Sequence, residues 1–310
     1  GMIVVFVSHK LEEVDELCEQ VTVMRRGRVI GSRAMPVPPA ELVTMMFGEP
    51  VKSAERPAAP MGDTVLELRD VRIEERLISL DPISLEVAAG EVIGLAGMEG
   101  SGQRTFLRGI SGLVRPSGGA VVLDGSEITS DGYRAHLDDG IQYLPAGRLE
   151  EGLVGGLTIT EHLVLADRRA GGFLVDWDAA REQAEARIDE YSIKGTDHSN
   201  VEELSGGNQQ RLLLAMLPPD LKVLLMEHPT RGLDIGSADW VWTQLLQRRT
   251  DGTAIIFASA DIDELLRYSD RILVFFSGRV LATLDASTAD VDTIGHLIGG
   301  REAKSAAGPT

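Results

Sequence analysis

The sequence contains a single cysteine, Cys18, so no disulfide can close within the chain. Its place in an amphipathic stretch reads as core packing, and a reducing compartment fits. Long apolar runs are also missing. No stretch approaches the roughly 18 residues needed to cross a bilayer, so a link to a membrane has to run through a partner. The start lacks the basic segment and apolar run of a secretory signal; Gly1 precedes Met2 and is left out of the reading. Basic residues are scarce, with 30 Lys+Arg against 48 Asp+Glu and a formal charge of −18. Such a surface repels a phosphate backbone, which argues against nucleic acid as a partner. What is present is an ordinary globular mixture, 43% hydrophobic and 25% charged over 310 residues, long enough for one large or two smaller cores.

Along the chain, IVVFVS reads as a strand, HKLEEVDELC as a helix, and VTVMRRGRVIG as two strands around an Arg-Gly turn. The same series returns near the end. Residues 8–31 align without a gap to 259–282, an offset of 259 − 8 = 251, with identities at Ser8/Ser259, Glu13/Glu264, Val23/Val274, Gly27/Gly278, Arg28/Arg279 and Val29/Val280. A repeat of this kind points to duplicated domains rather than a solenoid. Residues 2–48 therefore read as the last strand, helix and hairpin of a first domain whose body is not in the chain, with a further helix over 39–48. A fragment of that kind cannot bury its own apolar face and must dock or fray. A Pro/Ala/charge-rich linker follows over 49–63, and a complete domain runs from about 64 to 300. Its strands alternate with helices, which gives a largely parallel α/β sheet with an antiparallel flank. The tail 301–310 reads as disordered.

Two stretches carry the chemistry. GMEGSGQRT (97–105) has the glycines of a phosphate-binding loop, Gly97, Gly100 and Gly102, between the strand EVIGLA and the helix RTFLRGIS. There backbone amides and the helix dipole converge on an anion. Gln103 and Arg104 stand where such a loop carries lysine and a hydroxyl. LSGGNQQR (204–211) precedes KVLLMEHPTRGLD (222–234) by one short apolar helix. Together these resemble an ATP-binding cassette, and TRGLDIGS with GNQQR resembles the ribose/galactose/xylose and nucleoside importers whose ATPase subunit carries two cassettes in one chain. The resemblance covers nearly all of 64–300, plus 2–48 as the end of a first cassette.

That resemblance implies a P-loop NTPase fold: an α/β cassette with a mixed sheet, an antiparallel β flank, and a helical subdomain over about 144–200 that touches a permease. It implies ATP and Mg²⁺ as cofactors. Each ATP would lie between the phosphate loop of one cassette and the signature of another, here Ser205, Gly206, Gly207 and Gln209, with Asp234 in the D-loop. By the same resemblance the stations of this cassette's own ATP are altered. Gln103 supplies no charge. Arg104, beside Thr105, replaces the metal hydroxyl and would repel the ion. Glu227 falls at the Walker B aspartate and either holds Mg²⁺ or pairs with Arg104. His228 falls at the catalytic glutamate, as a neutral base or a structural residue. Ala146 and Ala260 occupy the glutamine-loop and switch-histidine positions, and 71–83 offers no aromatic for adenine. His9 would be the switch histidine of the first cassette. A frame slipped by one residue, letting Arg104-Thr105 stand for Lys-Thr, would turn side chains by about 100° on the helix. The implied role is the C-terminal part of an importer's ATP-binding subunit, peripheral on the inner face of the plasma membrane. Its partners would be permease subunits, through them an extracytoplasmic sugar-binding protein, and a partner cassette or second copy. A non-hydrolytic structural or regulatory cassette is the alternative; a soluble cassette ATPase of DNA repair or translation fits the acidic charge poorly.

Overall fold

The structure is a computed structural model that describes residues 2–7, 11–25, 27–47, 61–167 and 174–301. His9, most of the linker and all but the first residue of the tail lie outside the described residues. The chain divides into two compact units, Gly1–Glu55 with Gly232–Thr243, and Arg56–Arg231 with Gln244–Thr310. In the first, helix α1 (Leu11–Leu17) leads to a hairpin of β1 (Gln20–Arg25) and β2 (Arg28–Ala34), then to α2 (Pro39–Phe47). Val23, Val37 and Leu42 form its buried cluster, with Met35, Met45 and Met46 against them.

The second unit opens with β3 (Thr64–Glu75), β4 (Ile78–Ala88) and β5 (Val92–Ala96), then α3 (Gln103–Ile110). Next come β6 (Gly118–Leu123), β7 (Ser126–Glu127), α4 (Tyr133–Asp138) and β8 (Ile141–Leu144), followed by α5 (Ile159–Ala166), α6 (Trp177–Glu190), α7 (Gly206–Ala215) and β9 (Val223–Glu227). Helix α8 (Ile235–Thr250) contributes residues to both units. It is followed by β10 (Ala254–Ala258), α9 (Ile262–Tyr268), β11 (Arg271–Phe276), β12 (Arg279–Asp285) and α10 (Val291–Ile298).

One sheet has the order β12-β11-β5-β10-β9-β8, parallel except for β12, which runs antiparallel to β11 at the edge. A second, antiparallel sheet has the order β4-β3-β6-β7. Strands β5, β9 and β10 are buried at every residue, as expected for parallel strands covered on both faces, and apart from Glu227 at the end of β9 they read in sequence as apolar runs. Helix α3 lies between the sheets: Phe106, Leu107 and Ile110 are fully buried in one cluster with Leu66, Ile73, Leu95 and Ile256. The phosphate-loop helix is thus fixed by the core itself. Between β8 and β9 the chain is helical. Thr158 and Glu161 form the capping box expected at TITE, and Ala184 and Ile188 are the inward stripe of the charged helix α6.

The repeat is deeper in the structure than in the sequence. Helices α1 and α9 share the offset of 251 at both ends, 11–17 against 262–268. The hairpins share it in register: Gln20 faces Ala34 as Arg271 faces Asp285, and each ladder slips at the same point, after Val23 and after Val274. α2 and α10 continue it to residues 47 and 298, beyond the stretch where side-chain identities announce it.

Two expectations need correction. IVVFVS is not a strand where described: residues 2–7 have no strand assignment, and Val7 is 99% exposed. Its counterpart β10 pairs with β5 on one side and β9 on the other, and no described residue offers 2–7 either neighbour. β-branched composition alone leaves the backbone groups of a single segment unpaired, and water satisfies them instead. Cys18, expected in the core, is half-buried just past the end of α1, where Val14 is the buried residue.

Candidate functional site

The loop after β5 is shaped by glycine. Gly97, Gly100 and Gly102 have φ of 148°, 84° and 124°, a backbone open only to residues without a Cβ. Ser101 N–H donates to Met98 O at 3.0 Å, which closes the turn, and Gly278 N–H donates to Ser101 O at 2.9 Å. The β11–β12 turn thereby clamps the loop from outside. Gln103 is buried and folds back over the loop: its Nε2 donates to Met98 O at 3.4 Å and fills the space that a side chain at Gly97 would need. Thr105 Oγ1 donates to Glu75 Oε2 at 2.5 Å, and Glu75 also lies 3.4 Å from Arg108 Nε.

Arg104 points the other way. Its Nη2 donates to Glu151 Oε2 at 2.7 Å and its Nη1 lies 3.5 Å from Glu227 Oε2. Position 104, not 105, therefore faces the carboxylate at the end of β9. Glu227 is buried. Tyr143 Oη donates to its Oε1 at 2.5 Å and Ala146 N–H to its Oε2 at 3.4 Å. Burial opposes the charge on Arg104, but the hydrogen bond to Glu151 and the charge of Glu227 outweigh it and raise its pKa. Burial and then the bond to Glu227 push the Tyr143 phenol up, so it stays protonated and donating. In this structure Glu227 pairs with Arg104.

His228 follows directly, with φ +47° and its N–H donating to Ala258 O at 2.8 Å. Burial, then the charge of Arg231, lower its pKa and keep the ring neutral. Beyond it Thr230 Oγ1 donates to Glu264 Oε1 at 2.6 Å and Ser259 Oγ to Glu264 Oε2 at 2.5 Å. Buried Glu264 thus ties the turns after β9 and β10 together. Ala260 sits exposed beside Ser259.

The signature stretch opens α7, with Ser205 as an exposed N-cap and the first-turn amides of Gly206 and Gly207 at its start, where a helix lacks intrahelical acceptors. Lys194 N–H donates to Asn208 Oδ1 at 2.8 Å, which turns Asn208 Nδ2 toward Ser205 Oγ at 2.9 Å. The Ser205 hydroxyl proton is left to donate elsewhere. Gln209 is buried, its Nε2 donating to Val201 O and Leu204 O, so it props the turn rather than facing outward. Asp234 accepts from Ser237 N–H at 3.0 Å and Ser237 Oγ at 2.8 Å. Burial raises its pKa, and these hydrogen bonds outweigh that and hold it below the ordinary value. Gly97, Gly100, Gly102 and Gln103 are brought together at one loop, Arg104 and Glu227 beside it. Glu151, Tyr143, Glu75 and Glu264 escaped sequence reasoning; of these only Glu264 carried a signal, its identity with Glu13 in the repeat.

Comparisons with known proteins show what the chain is similar to. Residues 80–231 match the family model described as ABC transporter. The chain is 34% identical to a glucose import ATP-binding protein of Haloferax volcanii across 99% of its own length and 58% of that protein's. It is 32% identical to a nucleoside import ATP-binding protein of Lactococcus lactis (97% and 61%) and 33% identical to an arabinose import ATP-binding protein of Burkholderia pseudomallei (96% and 60%). It therefore spans about three fifths of the curated relatives it matches. In fold it resembles the ATP-binding subunit of an ABC transporter (TM-score 0.62, 23% identity, 76% of this chain and 100% of that one). A dimeric bacterial ABC transporter cassette gives the same TM-score at 22% identity, over 72% and 100%. The chain carries an ABC transporter ATP-binding domain.

Proposed function

We propose that this chain is the C-terminal part of the ATP-binding subunit of an importer for monosaccharides or nucleosides, and that it serves a partner's ATP rather than its own. The importer assignment rests on relatives named for glucose, nucleoside and arabinose import, matched over nearly the whole chain. The shared offset of α1, both hairpins and α2 with α9 and α10 supports residues 2–48 as the end of a first cassette. Ser205, with a hydroxyl proton to donate, and the amides of Gly206 and Gly207 form a donor set for the phosphate of an ATP held by that cassette.

One observation carries the second half: the Arg104 guanidinium stands against Glu227 and Glu151. Mg²⁺ would need an oxygen ligand at position 104 and a carboxylate at 227 open to it; a cation is there instead. The residues do not fit Mg²⁺, and no hydrolytic step is assigned to this loop. The glycine loop would offer an anion its backbone amides, with Gln103 able to donate hydrogen bonds but no charge. As far as its own site is concerned, the chain is a non-hydrolytic cassette. No described helix is long and apolar enough to cross a membrane. The proposed setting is peripheral, on the cytoplasmic face, bound to permease subunits that receive substrate from a sugar-binding protein outside.

The test is a titration of the chain with a fluorescent ATP analogue, with and without Mg²⁺, beside Gly102→Asp. The expected result is a curve unchanged by Mg²⁺. Binding tightened tenfold or more by the metal would overturn the assignment of Arg104.

A further inference from the structure

The segment that bears Glu151 does more than neutralise Arg104. Arg148–Gly152 is a single π-helical turn, closed by Gly152 N–H to Gly147 O at 3.1 Å and Leu153 N–H to Arg148 O at 2.7 Å, a rare geometry that is frequent at functional sites. It touches both halves of the chemistry. From one side Glu151 reaches back to Arg104, in the first turn of α3. From the other, Arg148 Nη1 donates to Arg231 O at 3.0 Å, and its Nη2 lies where a Cβ on Gly206 would come within 3.2 Å of it. Gly152 packs on Leu213 of α7, so that a Cβ there would lie 3.0 Å from Leu213 Cδ2. His162 Nε2 accepts from Val154 N–H at 2.9 Å and fixes the exit of the turn to α5. A continuous set of polar and packing contacts, through side chains and the backbone of the turn, therefore runs from the phosphate-loop helix to the start of the signature helix.

We propose that Arg104 and Glu151 act as a strut. Through the 148–152 turn they hold Ser205–Gly207 in the position offered to a partner, with neither nucleotide nor divalent metal needed in this chain's own loop. Arg104 and Glu151 are positioning residues in this scheme, and the partner's phosphate is what their alignment serves. The inference rests on the reading of Ser205–Gly207 as a donor set for a partner, but its test needs no partner, so the strut can fail while that reading stands.

The test is hydrogen–deuterium exchange of the full chain, followed in peptides covering 147–157 and 204–216. In wild type both should exchange equally fast with and without MgATP. Glu151→Gln, which removes the pair at a half-exposed position and leaves Arg104 beside Glu227, should speed exchange in both peptides about two- to fivefold, as a half-exposed ion pair supports. Peptides from β5 and β10 should not change. Raising KCl to about 1 M should speed the same peptides in wild type and have no further effect in Glu151→Gln, because salt screens the pair. Arg104→Lys should restore part of the protection that Arg104→Ala loses. Slower exchange at 204–216 on adding MgATP to wild type would overturn the strut, and so would a Glu151→Gln effect confined to 147–157. If Arg104→Ala proves too unstable to measure, Glu151→Gln alone decides.

Discussion

The two hairpin glycines related by the repeat, Gly27 and Gly278, should respond unequally to the same substitution. Both lie in left-handed backbone, with φ of +75° and +83°, and Gly278 with Ser277 forms a two-residue turn in which both residues have positive φ, the type that matches strand twist. An alanine at either position is held in a conformation costing about 1–2 kcal/mol for an L residue. At Gly27 that is the whole cost, because nothing lies within 4 Å of a Cβ built there. At Gly278 the Cβ would run into the carbonyl oxygen of Ser79, a backbone atom of β4 that cannot swing aside. The hairpin would have to lift, and overpacking of this kind adds about 1–3 kcal/mol. Lifting also strains the Gly278 N–H bond to Ser101 O and the Asp81 N–H bond to Gly278 O, both 2.9 Å. The expected losses are therefore about 1–2 kcal/mol for Gly27→Ala and about 2–5 kcal/mol for Gly278→Ala. Urea denaturation followed by circular dichroism, compared at fixed m, measures both. Hydrogen exchange at the Ser101 amide should rise only in Gly278→Ala. Equal losses, or a Gly278→Ala chain with an undisturbed loop, would refute the claim that this turn clamps the phosphate loop.

Tyr143→Phe takes the hydroxyl away from buried Glu227 Oε1 and should cost about 1.5–3 kcal/mol, the range for hydrogen bonds to charged groups; a change below about 0.5 kcal/mol in the same urea assay would mean that water replaces the donor. His228 titrates lower in the folded chain than the ordinary 6.5, from burial and then Arg231. The unfolded chain thus binds the proton more readily, so this contribution to stability is complete above about 6.5 and shrinks as pH falls toward the folded value. His228→Asn, a residue that tolerates positive φ, should remove that slope; an identical stability-against-pH curve between pH 5 and 7 would contradict it. Thr158→Ala removes half of the capping box on α5 and should lower the urea midpoint by the equivalent of about 1 kcal/mol.

The sheet was legible because its central strands are covered on both faces: VIGLA, VLLM and AIIFA each read as an unbroken apolar run, the second ending on Glu227. The same logic fails for residues 2–7, whose composition matches β10 but whose neighbours do not exist among the described residues. Strand formation is a property of pairs, and sequence shows one member. α2 and α10 hold the repeat's offset without its identities, since a helix docking on a hairpin keeps its placement with any apolar side chains of suitable size.

Arg104 shows the same limit at the site. Read locally it is a misfit, a cation in the first turn of α3, where the helix dipole favours anions. No acidic residue in that turn relieves it. Relief comes from elements joined to it only by topology. β8 and β9 are parallel neighbours, with Leu144 facing Met226, so Tyr143 reaches Glu227 and sets its carboxylate toward the helix. Glu151 comes from a π-helical turn with no periodicity to announce it. The conflict at position 104 is visible in sequence and its resolution is not. Such a local violation, stabilised from elsewhere in the fold, is where functional residues concentrate. If tertiary partners alone keep Arg104 in place, they also fix what it can do. A guanidinium already shared between two carboxylates has little charge left for a triphosphate, so its energetic effect falls on the turn that holds it and on the signature helix behind that turn.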